Sequence, residues 1–268
     1  LGLWRHELKG QPEPSHEMDN HLGFGIDSSR GLFLLTDRRE AKLRGGATAL
    51  LCYAARNQRL VRTRALAGFA GLAQSSALAL RLARLWLRSL YDDLSQRRGW
   101  SGNVRLCRQS LSDIREFTRL RGSAHTTRSI WLRPDTAVGE VDAGPRGWGG
   151  RLVHPSGAPP AAGFWTAAEA AVHITWRELR AVRLFVQWYL DSLRGRRLLL
   201  HEDNQAVVAM LTSLTSRSPE LMAELRSLVG VLDFNEVSLR AGYIRGAENV
   251  VAVYYARIAR PRDYRLAR

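Results

Sequence analysis

A chain of 268 residues with 45% hydrophobic content can fill one large domain or two modest ones around a sizeable core, which excludes a solvated tail. No uncharged apolar run of about 18 residues occurs, so no membrane partner is expected, and Cys52 and Cys107 are too few for a disulfide framework or a four-ligand zinc site. The two cysteines are expected as buried free thiols in a reducing compartment. The formal net charge of +15 is concentrated: residues 36–122 carry +12, and residues 138–260 only +2. Such a footprint fits a polyanion, because neutralised phosphates release counterions. Only Lys9 and Lys42 are lysine among the 40 basic residues. A GC-rich coding genome explains that arginine bias ahead of the phosphate-matching guanidinium fork.

Residues 1–35 begin polar, with Pro12 and Pro14, and then alternate from His21 to Leu35 around Asp27-Ser28-Ser29-Arg30-Gly31, which predicts a β-hairpin. Residues 36–122 are helical: no proline lies between Asp37 and Arg121, and apolar residues recur as Leu66, Phe69, Leu72, Ala73 and then Leu78, Leu82, Leu85, Leu90. Arginines on the outer faces of these helices, Arg56, Arg59, Arg62, Arg64, Arg81, Arg84 and Arg88, are candidate nucleic-acid contacts. Residues 123–137 are expected as a linker.

The texture then changes over residues 138–260. Strands are expected at Val138–Asp142, Trp148–Val153 and Ala162–Trp165, followed by a long helix from Ala167 to Leu190 and a buried strand from Arg197 to Glu202. Helices at 204–213 and 218–232, a strand at 236–243 and a last helix from Ala247 complete the order. The pattern βββ-α-β-α-α-β-α predicts an α/β fold with a mixed sheet and helices on its faces. Residues 261–268 form a basic tail.

Within this region three acids stand out. Asp142 ends a strand before the Gly-rich turn Ala143-Gly144-Pro145-Arg146-Gly147, where Asp is common for turn reasons alone. Glu178 belongs to a helical stripe with Ile174, Val182 and Phe185, so it faces a core; that is costly without a partner, and the plain alternative is an ion pair with a nearby arginine. Asp203 follows the apolar strand Leu198-Leu199-Leu200, at a sheet edge where α/β sites lie, or else it caps the next helix, a role Asn204 suits equally. Three acids from two strand ends and one helix face can converge on hard divalent cations. A pair of such ions, roughly 3.5–4 Å apart, supports phosphodiester hydrolysis.

Four blocks carry a resemblance: Glu140-Val-Asp142-Ala-Gly-Pro-Arg-Gly-Trp148-Gly-Gly150; Trp176-Arg-Glu178-Leu-Arg-Ala-Val182; His201-Glu-Asp203-Asn204-Gln-Ala-Val207; and Gly242 through Asn249-Val-Val-Ala252-Val253 to Arg257. Together they resemble the ribonuclease H domain of retroelement reverse transcriptases, of the long-terminal-repeat or tyrosine-recombinase type. Upstream, His21-Leu-Gly-Phe-Gly-Ile-Asp27 and the helical segment look like the end of a polymerase palm leading into thumb and connection.

The resemblance implies a ribonuclease H-like five-stranded mixed sheet, Mg²⁺ or Mn²⁺ held by Asp142, Glu178 and Asp203, and nucleic-acid contacts from Asn204, Arg245 and Asn249. One departure matters: the last block should end Asn-x-x-Ala-Asp, and Val253 stands where the fourth carboxylate belongs. The two-ion site is therefore expected to be incomplete. Ala256 also replaces a frequent serine, and no histidine lies in the loop before the last helix. Leu90-Tyr91-Asp92-Asp93-Leu94 imitates the polymerase Tyr-x-Asp-Asp signature, but it continues a helical stripe and is expected as a solvated helix end, with no polymerase activity.

Two functions follow from the resemblance. One is hydrolysis of RNA in RNA–DNA hybrids, impaired by the missing carboxylate, inside or derived from a larger reverse transcriptase. The other is a catalytically inactive, domesticated component of a ribonucleoprotein that binds structured RNA.

Overall fold

A computed structural model of the chain describes residues 17–21, 24–120, 126–131 and 134–258. Two compact units divide it, Leu1–Arg133 and Pro134–Arg268. Residues 261–268, read as a basic tail, and residues 1–16 lie outside the described residues.

In the first unit, β1 (Glu17–His21), β2 (Phe24–Asp27) and β3 (Leu32–Leu35) form an antiparallel sheet, and the hairpin joining the last two is the one expected. Asp27 shapes its turn by accepting from Ser29 Oγ at 2.6 Å and the Arg30 amide at 2.8 Å. The segment read as a linker contains a strand of this sheet: β6 (Thr127–Ser129) pairs antiparallel with β3. Three residues without alternation gave no sequence signal for it.

Helices α1 (Asp37–Arg56), α2 (Thr63–Ser75), α3 (Ala83–Ser95) and α4 (Arg108–Thr118) fill the expected helical segment, with a short antiparallel pair, β4 (Leu60–Arg62) and β5 (Asn103–Arg105), inserted between them. Phe117 is fully buried and takes edge-to-face contacts from Phe69 and Trp86, at 5.1 and 5.2 Å between ring centroids. Leu78, placed in a core stripe by its spacing, is exposed because it falls in the turn between α2 and α3.

Cys52 and Cys107 are free but exposed, correcting the expectation of burial. Cys52 sits on the outer side of α1, and Cys107 precedes α4 as its cap, its Sγ accepting the Ser110 amide. The Asp92-Asp93 pair lies on α3, as expected, yet only part of it is solvated. Asp92 pairs with Arg88, while Asp93 is buried and accepts the Cys107 amide at 2.9 Å.

The second unit is an α/β layer built on a five-stranded mixed sheet, the ribonuclease H-like architecture expected. Its strands are β7 (Ala137–Ala143), β8 (Gly147–His154), β9 (Ala161–Phe164), β10 (Arg197–Glu202) and β11 (Ser238–Tyr243), in the order β11-β10-β7-β8-β9. β10 runs parallel to both β7 and β11, whereas β7–β8 and β8–β9 are antiparallel.

The expected long helix is broken into α5 (Ala167–Ala170) and α6 (Ile174–Trp188). Thr166 and Glu169 close a capping box around α5, and His173 Nδ1 caps α6, so the chain restarts where the apolar stripe begins. A single turn, α7 (Leu190–Leu193), ends that stretch. Helices α8 (Gln205–Ser213), α9 (Pro219–Phe234) and α10 (Val250–Ile258) complete the layer. α10 lies against β8 so closely that a Cβ on Gly149 would sit 2.4 Å from the Ala256 amide nitrogen, which is why only glycine fits there. No helix among the described residues is long and apolar enough to cross a membrane.

Candidate metal centre

The parallel pairing of β7 with β10 aligns their carboxyl ends, and each delivers an acid there. Asp142 is the penultimate residue of β7, and Asp203 follows β10 directly. α6 supplies the third, with Glu178 two turns N-terminal to the fully buried Phe185 whose ring packs against Gly139 of β7. Carboxylate oxygens of Asp142, Glu178 and Asp203 all lie within 4.8 Å of one another. Asp142 and Glu178 are buried, and Asp203 is half-buried.

Asn204, not Asp203, caps α8: its Oδ1 accepts the Ala206 amide at 3.0 Å and the Val207 amide at 3.4 Å, which leaves Asp203 free of that duty. Glu178 Oε2 is buried with no hydrogen-bond partner, so no arginine satisfies it. Its neighbour Arg177 instead holds the turn after Asp142, donating to the carbonyls of Gly144 at 3.3 Å and Pro145 at 3.0 Å. Trp165 Nε1 donates to the same Gly144 carbonyl at 3.0 Å. Ile174 does not share the burial of the stripe and is exposed.

Crowding three acids raises the cost of charge. Burial, then the Asp203 charge, push Asp142 up to about 6, against a smaller pull from Arg257. Burial, then Asp142 and Asp203, push Glu178 up to about 8, opposed by the Ala143 amide and Arg177. A donor set of hard carboxylate oxygens, one of them buried without a partner, fits a divalent cation. The loop before α10 leaves room for Asp203: a Cβ on Gly246 would lie 2.8 Å from its Oδ2.

Val253 is half-buried on α10 and offers no oxygen. Asn249 corrects an expectation. It is fully buried and donates from Nδ2 to the Val141 carbonyl at 2.9 Å, tying the start of α10 to β7 rather than facing nucleic acid. Arg245 is exposed in the loop before α10. In the first unit Arg56, Arg62, Arg64, Arg81 and Arg84 are exposed and Arg59 is half-buried, while Arg88 is half-buried and occupied by Asp92. Arg62 and Arg64 also border an open, apolar groove of about 430 Å³ between α1 and α2.

Two site neighbours escaped sequence reasoning. Arg257 lies one turn beyond Val253, and its charge reaches Asp142. Glu202 is fully buried beside the three acids, and its signal was available as an acid at the buried phase of the alternating strand Leu198, Leu200, Glu202.

No protein-family model matches the chain, and no curated protein does. Among solved structures it is similar to ribonuclease H1 of the archaeon Halobacterium salinarum NRC-1, at 18% identity and a TM-score of 0.36, over 44% of this chain and 92% of that one. It is similar to LC11-RNase H1 in complex with RNA/DNA hybrid, isolated from compost by a metagenomic approach, at 16% identity and a TM-score of 0.37, over 48% of this chain and 99% of that one. It is also similar to the foamy viral protease-reverse transcriptase in complex with double-stranded DNA, at 16% identity and a TM-score of 0.33. That match covers 86% of this chain but only 38% of the viral one. Likeness this distant says nothing of what the chain acts on.

Proposed function

We propose that residues 138–260 are a metal-dependent ribonuclease H-like domain that hydrolyses the RNA strand of RNA–DNA hybrids, weakened by Val253. In this reading residues 1–35 are the end of a polymerase palm and residues 36–122 a thumb and connection of retroelement origin. The observation that carries the reading is the convergence of Asp142, Glu178 and Asp203 within 4.8 Å. These three would hold Mg²⁺ or Mn²⁺, which when bound activates water and stabilises the leaving oxygen of a phosphodiester.

The chain's own groups supply the remainder. Asp142 and Glu178, held above the ordinary carboxylate range by burial and then by the neighbouring acids, offer sites that lose protons as a cation enters. Arg177 fixes the turn that aims Asp142, and exposed Arg245 stands in the loop leading to α10, where a phosphate backbone is a suitable partner. The arginines of the first unit supply sequence-independent attraction to the duplex.

A specific observation favours a second reading. Val253 removes one carboxylate from the four of the resembled pattern, and a metal's Lewis-acid contribution of several kcal/mol is worth a few powers of ten in rate. The chain would then be an RNA-binding structural part of a ribonucleoprotein. Cleavage of labelled hybrid in Mg²⁺ or Mn²⁺ separates the two. The nuclease reading expects cutting that Asp142→Asn abolishes and Val253→Asp increases. Cutting that Asp142→Asn leaves intact would make the site assignment wrong, and no cutting by either the parent or Val253→Asp would leave the binding reading standing.

A further inference from the structure

A further buried acid, Glu202, comes from β10 and lies outside the group of three whose oxygens are within 4.8 Å of one another. Burial along that strand alternates, with Leu198, Leu200 and Glu202 turned to the same core face. Leu200 pairs with Gly139, against which the Phe185 ring of α6 also packs, so α6 covers that face. Moving from Phe185 back two turns reaches Glu178, which meets the Ala143 amide at the end of β7. Moving two residues on from Leu200 reaches Glu202, at the same end of the parallel strand. Glu202 and Glu178 thus face each other between sheet and helix, and Glu178 is the charged group acting most strongly on Glu202.

Their hydrogen bonding is incomplete in a matching way. Glu202 Oε1 accepts the Asn204 amide at 3.2 Å, but its Oε2 is buried with no partner. Glu178 Oε2 is likewise buried and without a partner. Two neighbouring carboxyl groups, each with an unmatched buried oxygen, are costly to ionise unless a positive charge joins them. Buried orphan oxygens of this kind in a native site call for an ion or a water.

We propose that Glu202 is a fourth carboxylate ligand of the divalent-cation site, shared with Glu178 and supplied from β10 instead of from the helix position that Val253 occupies. The inference rests on reading Asp142, Glu178 and Asp203 as a cation site. It gives this chain four acids for two ions by a different route from the pattern it resembles.

The test is calorimetric titration of Mn²⁺ into the metal-free full chain, with melting in EDTA measured alongside, for the parent, Glu202→Gln and Asp142→Asn. Glutamine keeps the acceptor for the Asn204 amide and removes a buried group that burial already disfavours as an anion. Glu202→Gln should therefore melt in EDTA at the parent's temperature or above it, and bind Mn²⁺ at least about tenfold more weakly. Glu202→Asp, which keeps the charge but withdraws it by one methylene, should also weaken Mn²⁺ binding and serves if the glutamine variant does not fold. Parent-like Mn²⁺ affinity in a folded Glu202→Gln would overturn the proposal, as would a lowered melting temperature in EDTA with affinity unchanged. Asp142→Asn separates the two levels. If it weakens Mn²⁺ binding while Glu202→Gln does not, only this inference falls; if neither variant does, the site reading falls too.

Discussion

Replacing Glu178 by glutamine should stabilise the metal-free protein, and only at high pH. Glu178 has an ordinary value of 4.5 and is pushed up to about 8, so the folded chain keeps a proton that the unfolded chain has already released. The stability associated with that proton is complete below the unfolded value and is lost as pH rises toward 8. At 1.36 kcal/mol per pK unit the whole shift amounts to about 4–5 kcal/mol. Protons redistribute among Glu178, Asp142 and Glu202 as they ionise, so about 2–3 kcal/mol should belong to Glu178 alone. Glutamine has no proton to lose, which predicts equal stability of parent and Glu178→Gln near about pH 4 and a variant about 2–3 kcal/mol more stable at about pH 8.5. Urea unfolding in EDTA, with pulse proteolysis reading peptides of the second unit, measures both. Adding Mn²⁺ at the higher pH should reverse the order, because only the parent gains from the ion. A stability difference that is the same at both pH values would refute the reasoning.

Other predictions concern the scaffold and the basic surface. Asn249→Ala removes the buried bond to the Val141 carbonyl and should cost about 1–3 kcal/mol, read as a lower melting temperature, whereas an unchanged value would mean that α10 is held by apolar packing alone. Gly149→Ala forces a Cβ to within 2.4 Å of the Ala256 amide nitrogen and should destabilise the second unit by more than about 2 kcal/mol in the same assay. Affinity for duplex should fall steeply with salt, and Arg62→Gln with Arg64→Gln should flatten the log–log slope by about 1–2; a slope unaltered by the pair would remove these arginines from the interface.

Much of the second unit was legible because its periods are clean. The buried strand ending at Glu202 alternates with a spacing of 2.0 and the stripe of Val182 and Phe185 obeys 3.6, while Asp142 was placed by the Gly-rich turn after its strand. What stayed hidden depended on partners distant in sequence. β6 exists only because Leu32–Leu34 offers it an edge, and the break before Ile174 comes from caps made by Thr166 and His173. Asn249 matched a nucleic-acid-contact position in sequence, but its burial against Val141 arises from the packing of α10. Glu202 was passed over because Asp203 beside it satisfied the pattern, although its place in the buried phase with Leu198 and Leu200 was legible from alternation. The exposure of Cys52 and Cys107 follows from which helix faces found a neighbour, which spacing did not disclose.

The most direct test is an anomalous difference map from a crystal of the full chain grown with Mn²⁺. Density coordinated by Asp142, Glu178 and Asp203 is expected at the carboxyl ends of β7 and β10. Manganese bound elsewhere with these carboxylates bare, or held by none of the three at millimolar metal, would contradict it.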